Sequence, residues 1–396
     1  MSNFAAGNTA GFLPPMAMRT LGMRAVGLFL VGAAAIAEGF VCVSPQLMGP
    51  ARRPGKRPRP AVRVKASHAE AAPNMHPGLE QLADEYDAFL IDQWGVMHDG
   101  TNAYPKAVEC MARLAAKGKK IVLLSNSSRR KGNSMAKLDK MGFDSSTIVD
   151  LVTSGEMGWR GLASDSVARS APFDQIQGNK VFVFGNGEED EEYVTTAGLE
   201  FATIEEADFI LARGMFTMHD NEDVLFRDGE NKVAYWESEA TRSLQIATQT
   251  QKPMLVTNPD FVRPDGNDSP MPGKLAQSYE MMLAAGYCSK KRVFYVGKPH
   301  SLVYEEAFRL LAHENGGVAV DKRRICGVGD SLLHDIEGAT RAGIDSIFIA
   351  NGIHAQALGV QQGVPDQPID MSSLETLRKD LLARSPTHVV PHFQWS

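Results

Sequence analysis

Short apolar runs recur along this chain, and helix-like stretches lie between them. They are AFLI (88–91), IVLL (121–124), VFVF (181–184), DFILA (208–212), MLVT (254–257), VFYV (293–296), ICGV (325–328) and SIFIA (346–350). A strand with no polar alternation has both faces covered, and parallel neighbours need a crossover, usually helical, between them. The helical stretch around Lys106 to Ala116 is closed by Gly118, and one about Ser134 to Met141 by Gly142, as helix stops require. The pattern therefore predicts an α/β fold built on a doubly wound, Rossmann-like parallel sheet.

In such folds a ligand sits outside the carboxyl ends of the strands, so the residues just after each run carry the functional information. Asp92 follows the first run, Ser125 and Asn126 the second, Lys298 the VFYV run and Asp330 the ICGV run, with Asp335 completing GVGDSLLHD. Converging carboxylates repel unless a cation or shared proton offsets them, and hard divalent cations favour oxygen ligands. Asp330 and Asp335 are equally open to a helix-capping role, since Asp favours helix starts. Ser125 and Asn126, followed by Ser127, Ser128, Arg129 and Arg130, suit a phosphate cradle, or an ordinary N-cap cluster. Lys298, between Gly297 and Pro299, sits where a fixed ammonium could offset a phosphoryl charge; a solvated surface lysine is the alternative. No G-x-G-x-x-G follows any of these strands, which argues against a nicotinamide-type dehydrogenase.

Charge divides the chain. The formal net charge is −6, yet residues 1–78 hold nine Lys or Arg against Glu38 and Glu70 only, leaving an acidic body. An acidic body fits nucleic-acid phosphates poorly, so no nucleic-acid partner is expected. Cys42, Cys110, Cys288 and Cys326 are scattered without a C-x-x-C pair, so neither a disulfide framework nor a zinc site follows. Ala25 to Ala37 is apolar and preceded by Arg19 and Arg24; it is too short to cross a bilayer and suits a signal-peptide core. Ala35-Ile36-Ala37 offers a cleavage pattern, and ARRPGKRPRPAVRVKAS resembles a transit peptide ending near Val64–Ser67. The tandem resembles the bipartite leader of proteins sent to complex algal plastids. A single transit peptide, mitochondrial or plastid, and a secretory leader are the alternatives. Residues 1–78 are thus expected to be cleaved or disordered, with no membrane contact after processing.

Taken in order, DQWGV, LLSN, GKPH and GDSLLHD resemble the four motifs of the haloacid dehalogenase superfamily. GVMHDG, VTNPDFVRPDG (256–266), PGKLAQSYE and VGKPHSLVYEEAF extend the match to its class IIA over roughly residues 85–360. That class includes p-nitrophenyl phosphatase-like and nucleotide or sugar phosphatase-like enzymes. The resemblance implies a core domain of residues 79–162 and 290–396 with an inserted α/β cap of residues 163–289. It makes Asp92 the nucleophile that forms an aspartyl-phosphate. Mg2+ would be held by Asp92, the carbonyl of Trp94, Asp330 and Asp335. Ser125, Asn126 and Lys298 would bind the phosphoryl group of a small phosphorylated metabolite. Asn258 and Asp260 of T-N-P-D would line the substrate side, an Asn-Pro turn being the plainer alternative. A homo-oligomer stays open.

One position departs from that pattern. Trp94 stands where the family's usual second aspartate protonates the leaving group and then activates water, and indole offers only a weakly acidic N–H. The D-x-W-G-V form resembles a sub-branch of class IIA. Three consequences are open: substrates with good leaving groups, a substitute acid or base (His98, Asp99 or His300), or a catalytically silent phosphate-ligand-binding protein. A phosphotransferase on the same scaffold is a further option. Arg213 and Gly214, after DFILA, are marginal candidates for the substrate side.

Overall fold

The computed structural model describes residues 72–163, 171–187, 189–221, 223–228, 232–263 and 270–396. The basic and apolar leader segments up to residue 71 lie outside the described residues. The chain first forms β1 (Asn74–Met75), β2 (Ala88–Ile91), α1 (Ala107–Ala116), β3 (Lys120–Ser125), α2 (Gly132–Lys140), β4 (Asp150–Thr153) and α3 (Ser154–Ala163). A second body follows: β5 (Lys180–Gly185), α4 (Asp190–Thr196), β6 (Glu200–Phe201), β7 (Phe209–Ala212), β8 (Thr217–Asp220), β9 (Asp223–Phe226), α5 (Lys232–Thr250), β10 (Met254–Val256), α6 (Pro272–Ala285) and β11 (Val293–Tyr295). The first body is then completed by α7 (Ser301–Glu314), β12 (Ile325–Gly329), α8 (Glu337–Ala342), β13 (Asp345–Ile349), α9 (Met371–Asp380) and β14 (His388–Val390). Among the described residues no helix is long and apolar enough to cross a membrane.

The core sheet runs β1-β14-β13-β12-β2-β3-β4, with every pairing parallel. Successive side chains of a strand point to opposite faces, and β2 shows the result. Phe89 and Ile91 pack with Cys110, Met111 and Leu114 of α1 and Leu138 of α2. Ala88 and Leu90 pack with Val303, Tyr304, Ala307 and Leu311 of α7 and Ala339 of α8. In α1 the buried positions 107, 110, 111 and 114 form the single apolar stripe of an amphipathic helix. The strand order reverses direction between β2 and β12, the place where a doubly wound sheet opens a crevice.

The cap sheet is likewise covered on both faces. Phe182, Phe184, Ile210 and Val256 face Trp236, Leu244, Leu275 and Tyr279 of α5 and α6. Val181, Val183, Leu211 and Leu255 face Tyr193 and Val194 of α4 together with Leu162 of α3.

The structure bears on the expected domain limits at both joins. The VFYV strand, expected within the core segment from residue 290, pairs with β10 in the cap sheet, Met254 opposite Val293 and Val256 opposite Tyr295. At the other end α3 closes the first body and packs Leu162 against the cap cluster. The expected leader limit of 78 also shifts. Asn74 and Met75 pair with His388 and Val389, and the His76 N–H donates to the Val389 carbonyl at 2.9 Å. A chain beginning at Leu79 loses this edge strand, a cost of about 1 kcal/mol or more. Its thermal midpoint is expected roughly 2–4 °C below that of a chain beginning at Ala72, measured by circular dichroism; equal midpoints would show that β1 adds nothing.

Candidate active site

Register places the site. Ile91 pairs with Leu123 on one side and Val328 on the other, so Asp92, Ser125 and Asp330 leave three adjacent parallel strands at the same sheet edge. Their oxygens converge: Asp92, Asp330 and Asp335 each offer a carboxylate oxygen within 4.8 Å of the others. Lys298 arrives from the end of the cap strand β11. Its Nζ lies 2.6 Å from Asp92 Oδ1 and 2.7 Å from Asp335 Oδ1. Asp335 is held in turn by the Ser331 N–H, 3.0 Å from Oδ2, and Asp330 Oδ2 accepts the Ile353 N–H at 2.7 Å. Gly95, at φ 87, lies so close to the Asp330 carboxylate that a Cβ would occupy the position of its Oδ2. Only glycine accommodates both that φ and that approach.

The electrostatics are unbalanced as they stand, with three carboxylates against one ammonium. Burial pushes Asp92 up to about 7, and the Asp335 charge adds to it against the pull of Lys298. Burial, then Asp92 and Asp335, push Asp330 well above the usual carboxylate range. For Lys298 burial works to lower its pKa, but Asp335 and Asp92 outweigh it and hold it above its ordinary value. A set of hard oxygen donors carrying surplus negative charge is what a divalent cation relieves. The residues therefore fit Mg2+.

Asn126 is the joint between the bodies. Its Oδ1 accepts the Lys298 N–H at 2.7 Å, and its Nδ2 donates to the Lys298 carbonyl at 3.2 Å and to Asp260 Oδ1 at 2.8 Å. Asp260, from the T-N-P-D segment, thus reaches the site. Asn258 is used within that segment, its Oδ1 accepting the Asp260 N–H at 3.1 Å, the Asn-Pro turn of the plainer reading. Ser125 is half-buried, with its Oγ accepting the Ser127 N–H at 3.2 Å. Sequence reasoning missed His334, although GDSLLHD contains it. Its Nδ1 lies 3.3 Å from Asp260 Oδ1 and 3.2 Å from Ser331 Oγ, linking the metal-side turn to the cap.

Trp94 does not act like the acid it replaces. Its indole Nε1 is enclosed without a hydrogen-bond partner, its ring lies against Gly100, and the Arg263 guanidinium sits 5.7 Å from the ring centroid. The three candidate substitutes are occupied elsewhere. Burial pushes His98 down to about 4, and its Nδ1 accepts the Gly100 N–H at 3.0 Å. Asp99 accepts the N–H groups of Thr101 and Asn102, each at 2.7 Å, and shapes the turn. His300 stacks on Tyr295 with centroids 5.2 Å apart, and burial pushes it to about 4. At neutral pH neither imidazole is charged.

Arg213 is fully buried in the cap, not turned to the substrate side. It pairs with Asp190, lies 4.3 Å over the Tyr193 ring and donates to the Ser128 carbonyl at 3.3 Å. Gly214 packs against the carbonyl of Gly185 and Asn186, so it too is structural. Replacing Arg213 by Leu strands the Asp190 carboxylate, and the expected loss is about 3–5 kcal/mol, read by urea denaturation. A loss under about 1 kcal/mol would show that the other partners of Asp190, His219 at 3.1 Å, Thr217 Oγ1 at 2.8 Å and the Asn186 and Gly187 N–H groups, hold it without the arginine.

Comparison with known proteins agrees with this geometry. A family model described as haloacid dehalogenase-like hydrolase matches residues 89–200, and a second, HAD-hydrolase-like model matches residues 295–395. The chain is 24% identical over 269 residues to 5'-nucleotidase YutF of Bacillus subtilis, covering 68% of this chain and 88% of that protein. It is 25% identical over 300 residues to the 4-nitrophenylphosphatase of Schizosaccharomyces pombe, covering 73% and 92%. A crystal structure of a haloacid dehalogenase-like hydrolase from Brucella suis superposes with a TM-score of 0.59 at 26% identity, covering 80% of this chain and 99% of that one. With its paired sheets and its aspartate cluster at the edge of the core sheet, the chain belongs to the haloacid dehalogenase-like hydrolases.

Proposed function

We propose that the protein is a Mg2+-dependent phosphatase that hydrolyses a small phosphorylated metabolite through a phosphoenzyme at Asp92. The observation that carries this reading is the meeting of Asp92, Asp330, Asp335 and Lys298 at one crevice. Asp92, Asp330, Asp335 and the Trp94 carbonyl are the groups that would hold Mg2+. When bound, the ion supplies positive charge against the phosphoryl oxygens. The name of one relative, 4-nitrophenylphosphatase, fits a phosphate monoester whose leaving group is a stable anion.

In this account the Asp92 carboxylate attacks phosphorus, a new P–O bond forms, and the bond to the leaving oxygen breaks with its electron pair on that oxygen. Lys298 offsets the charge shared between the phosphoryl group and Asp92, while Ser125 and Asn126 bound the phosphoryl pocket. Water then cleaves the aspartyl-phosphate and regenerates the carboxylate. With indole at position 94 nothing built into the motif protonates the leaving oxygen. The substrate is therefore one whose leaving group departs as a stable anion, such as an aryl or acyl phosphate or an anhydride. The second reading, a silent phosphate-ligand binder, is favoured by Trp94 alone. The leader, residues 1 to 71 of which lie outside the described residues, supports delivery to a plastid.

Phosphate release from a panel of esters, anhydrides and acyl phosphates separates the two. Activity is expected to require Mg2+, to fall by more than about 10³-fold in Asp92→Asn, and to vanish on chelation. Trp94→Asp is expected to raise turnover of alkyl phosphates by about 10²–10⁴-fold, with a smaller gain on acyl phosphates, where the new carboxylate aids only the attack of water. Silence of the native chain on every substrate, with activity only in Trp94→Asp, would favour the binder.

A further inference from the structure

A segment remote in sequence from every motif residue reaches the aspartate cluster through a short run of hydrogen bonds. His392 follows β14 and is 1% exposed. Its Nδ1 lies 2.6 Å from Asn351 Nδ2, and its Nε2 lies 2.6 Å from the Pro105 carbonyl. Asn351 Nδ2 also donates to the Val364 carbonyl at 3.1 Å, which fixes the amide's orientation. The ring therefore accepts at Nδ1 and donates from Nε2–H, one partner on each side.

One partner, Pro105, lies in the segment that follows Asp92, and the other, Asn351, in the loop whose backbone holds Asp330. Asn351 precedes Gly352, which packs against the Asp330 side chain with no room for a Cβ, and Ile353, whose N–H holds Asp330 Oδ2 at 2.7 Å. His354 Nε2 in the same loop accepts the Leu332 N–H at 3.3 Å. Pro105 follows Tyr104, whose N–H donates to the Met97 carbonyl at 2.9 Å, and the Met97 N–H donates in turn to the Gln93 carbonyl at 2.8 Å, next to Asp92. The Asn351 N–H to Pro391 carbonyl bond, 3.1 Å, ties the tail to the Asn351 loop as well.

We infer that His392 is a positioning residue for the metal site, setting the distance between the loop after Asp92 and the loop that orients Asp330. This rests on reading Asp92, Asp330 and Asp335 as the Mg2+ site. Residues that orient metal ligands from outside typically change affinity 10- to 100-fold when replaced. His392 stands one residue further out, and a loss of roughly 3- to 10-fold is expected.

The test is Mg2+ binding to the full chain by isothermal titration calorimetry, with no turnover required. His392→Phe keeps the volume and removes both bonds, while His392→Gln keeps an acceptor and a donor. Asp330→Asn marks the heat that belongs to this site, and thermal melts with chelator report on the fold alone. Weaker Mg2+ binding in the Phe variant, near-native binding in the Gln variant and similar melts in chelator would uphold the assignment. Native affinity in the Phe variant would overturn it, as would an equal loss in both variants, which would mark a packing effect. If the Phe variant does not fold, Asn351→Ser removes the same bond from the loop side and decides the matter by the same criterion. Mg2+ binding without any turnover would defeat the phosphatase reading, and the difference between Phe and Gln variants would still uphold His392.

Discussion

A buried ammonium lodged between two buried carboxylates governs this molecule. Lys298 Nζ touches both Asp92 and Asp335, and its side chain is 4% exposed. Taking such charges out of water is costly and is offset only where geometry and further hydrogen bonds are good. Here the backbone and one side chain supply them: the Ser331 N–H to Asp335, the Ile353 N–H to Asp330, and the Asn126 side-chain amide to the N–H and carbonyl of Lys298. Even so three carboxylates face one ammonium, and burial first, then the neighbouring carboxylates, push Asp92 and Asp330 upward. In the proposed function a divalent cation relieves that crowding and lets a phosphoryl group enter.

The lysine's origin couples the two bodies. Because β11 belongs to the cap sheet, the ammonium comes from the cap side and its carboxylate partners from the core. Asp260 to Asn126 and His334, and Arg213 to the Ser128 carbonyl, span the same divide. Both Asn126 and Ser128 lie on the loop that follows β3, so that loop is gripped from the cap at two points. The cap is thereby part of the site's construction and not only a cover that excludes water.

Much of this was legible in the residues. All eight apolar runs became strands, and α1 and α2 fall within a residue or two of their expected limits. Asp92, Lys298, Asp330 and Asp335, each read from its place after an apolar run, lie together in the structure. Sheet membership was not legible, because a short apolar run such as VFYV states that both faces are buried and not which sheet it joins. Asn74–Met75 went unread because an exposed pair of residues at an edge carries no apolar signal. His334 and His392 were missed for a different reason. Their roles come from partners far away in sequence, Asp260 for one, Asn351 and Pro105 for the other, and no local pattern encodes such pairs.

In the proposed reaction Trp94 leaves Asp92 and Lys298 in place as nucleophile and charge-neutralising group and supplies no leaving-group acid, so the first chemical step proceeds only where that acid is not needed. The account stands or falls on that step occurring at Asp92. Acid-quenching the protein after brief exposure to a labelled acyl phosphate with Mg2+, then mapping the label by peptide mass spectrometry, tests it directly. The account predicts phosphate on the peptide containing Asp92, lost when Mg2+ is chelated and absent in Asp92→Asn. Turnover with no label on that peptide, or a label that persists in Asp92→Asn, would contradict it.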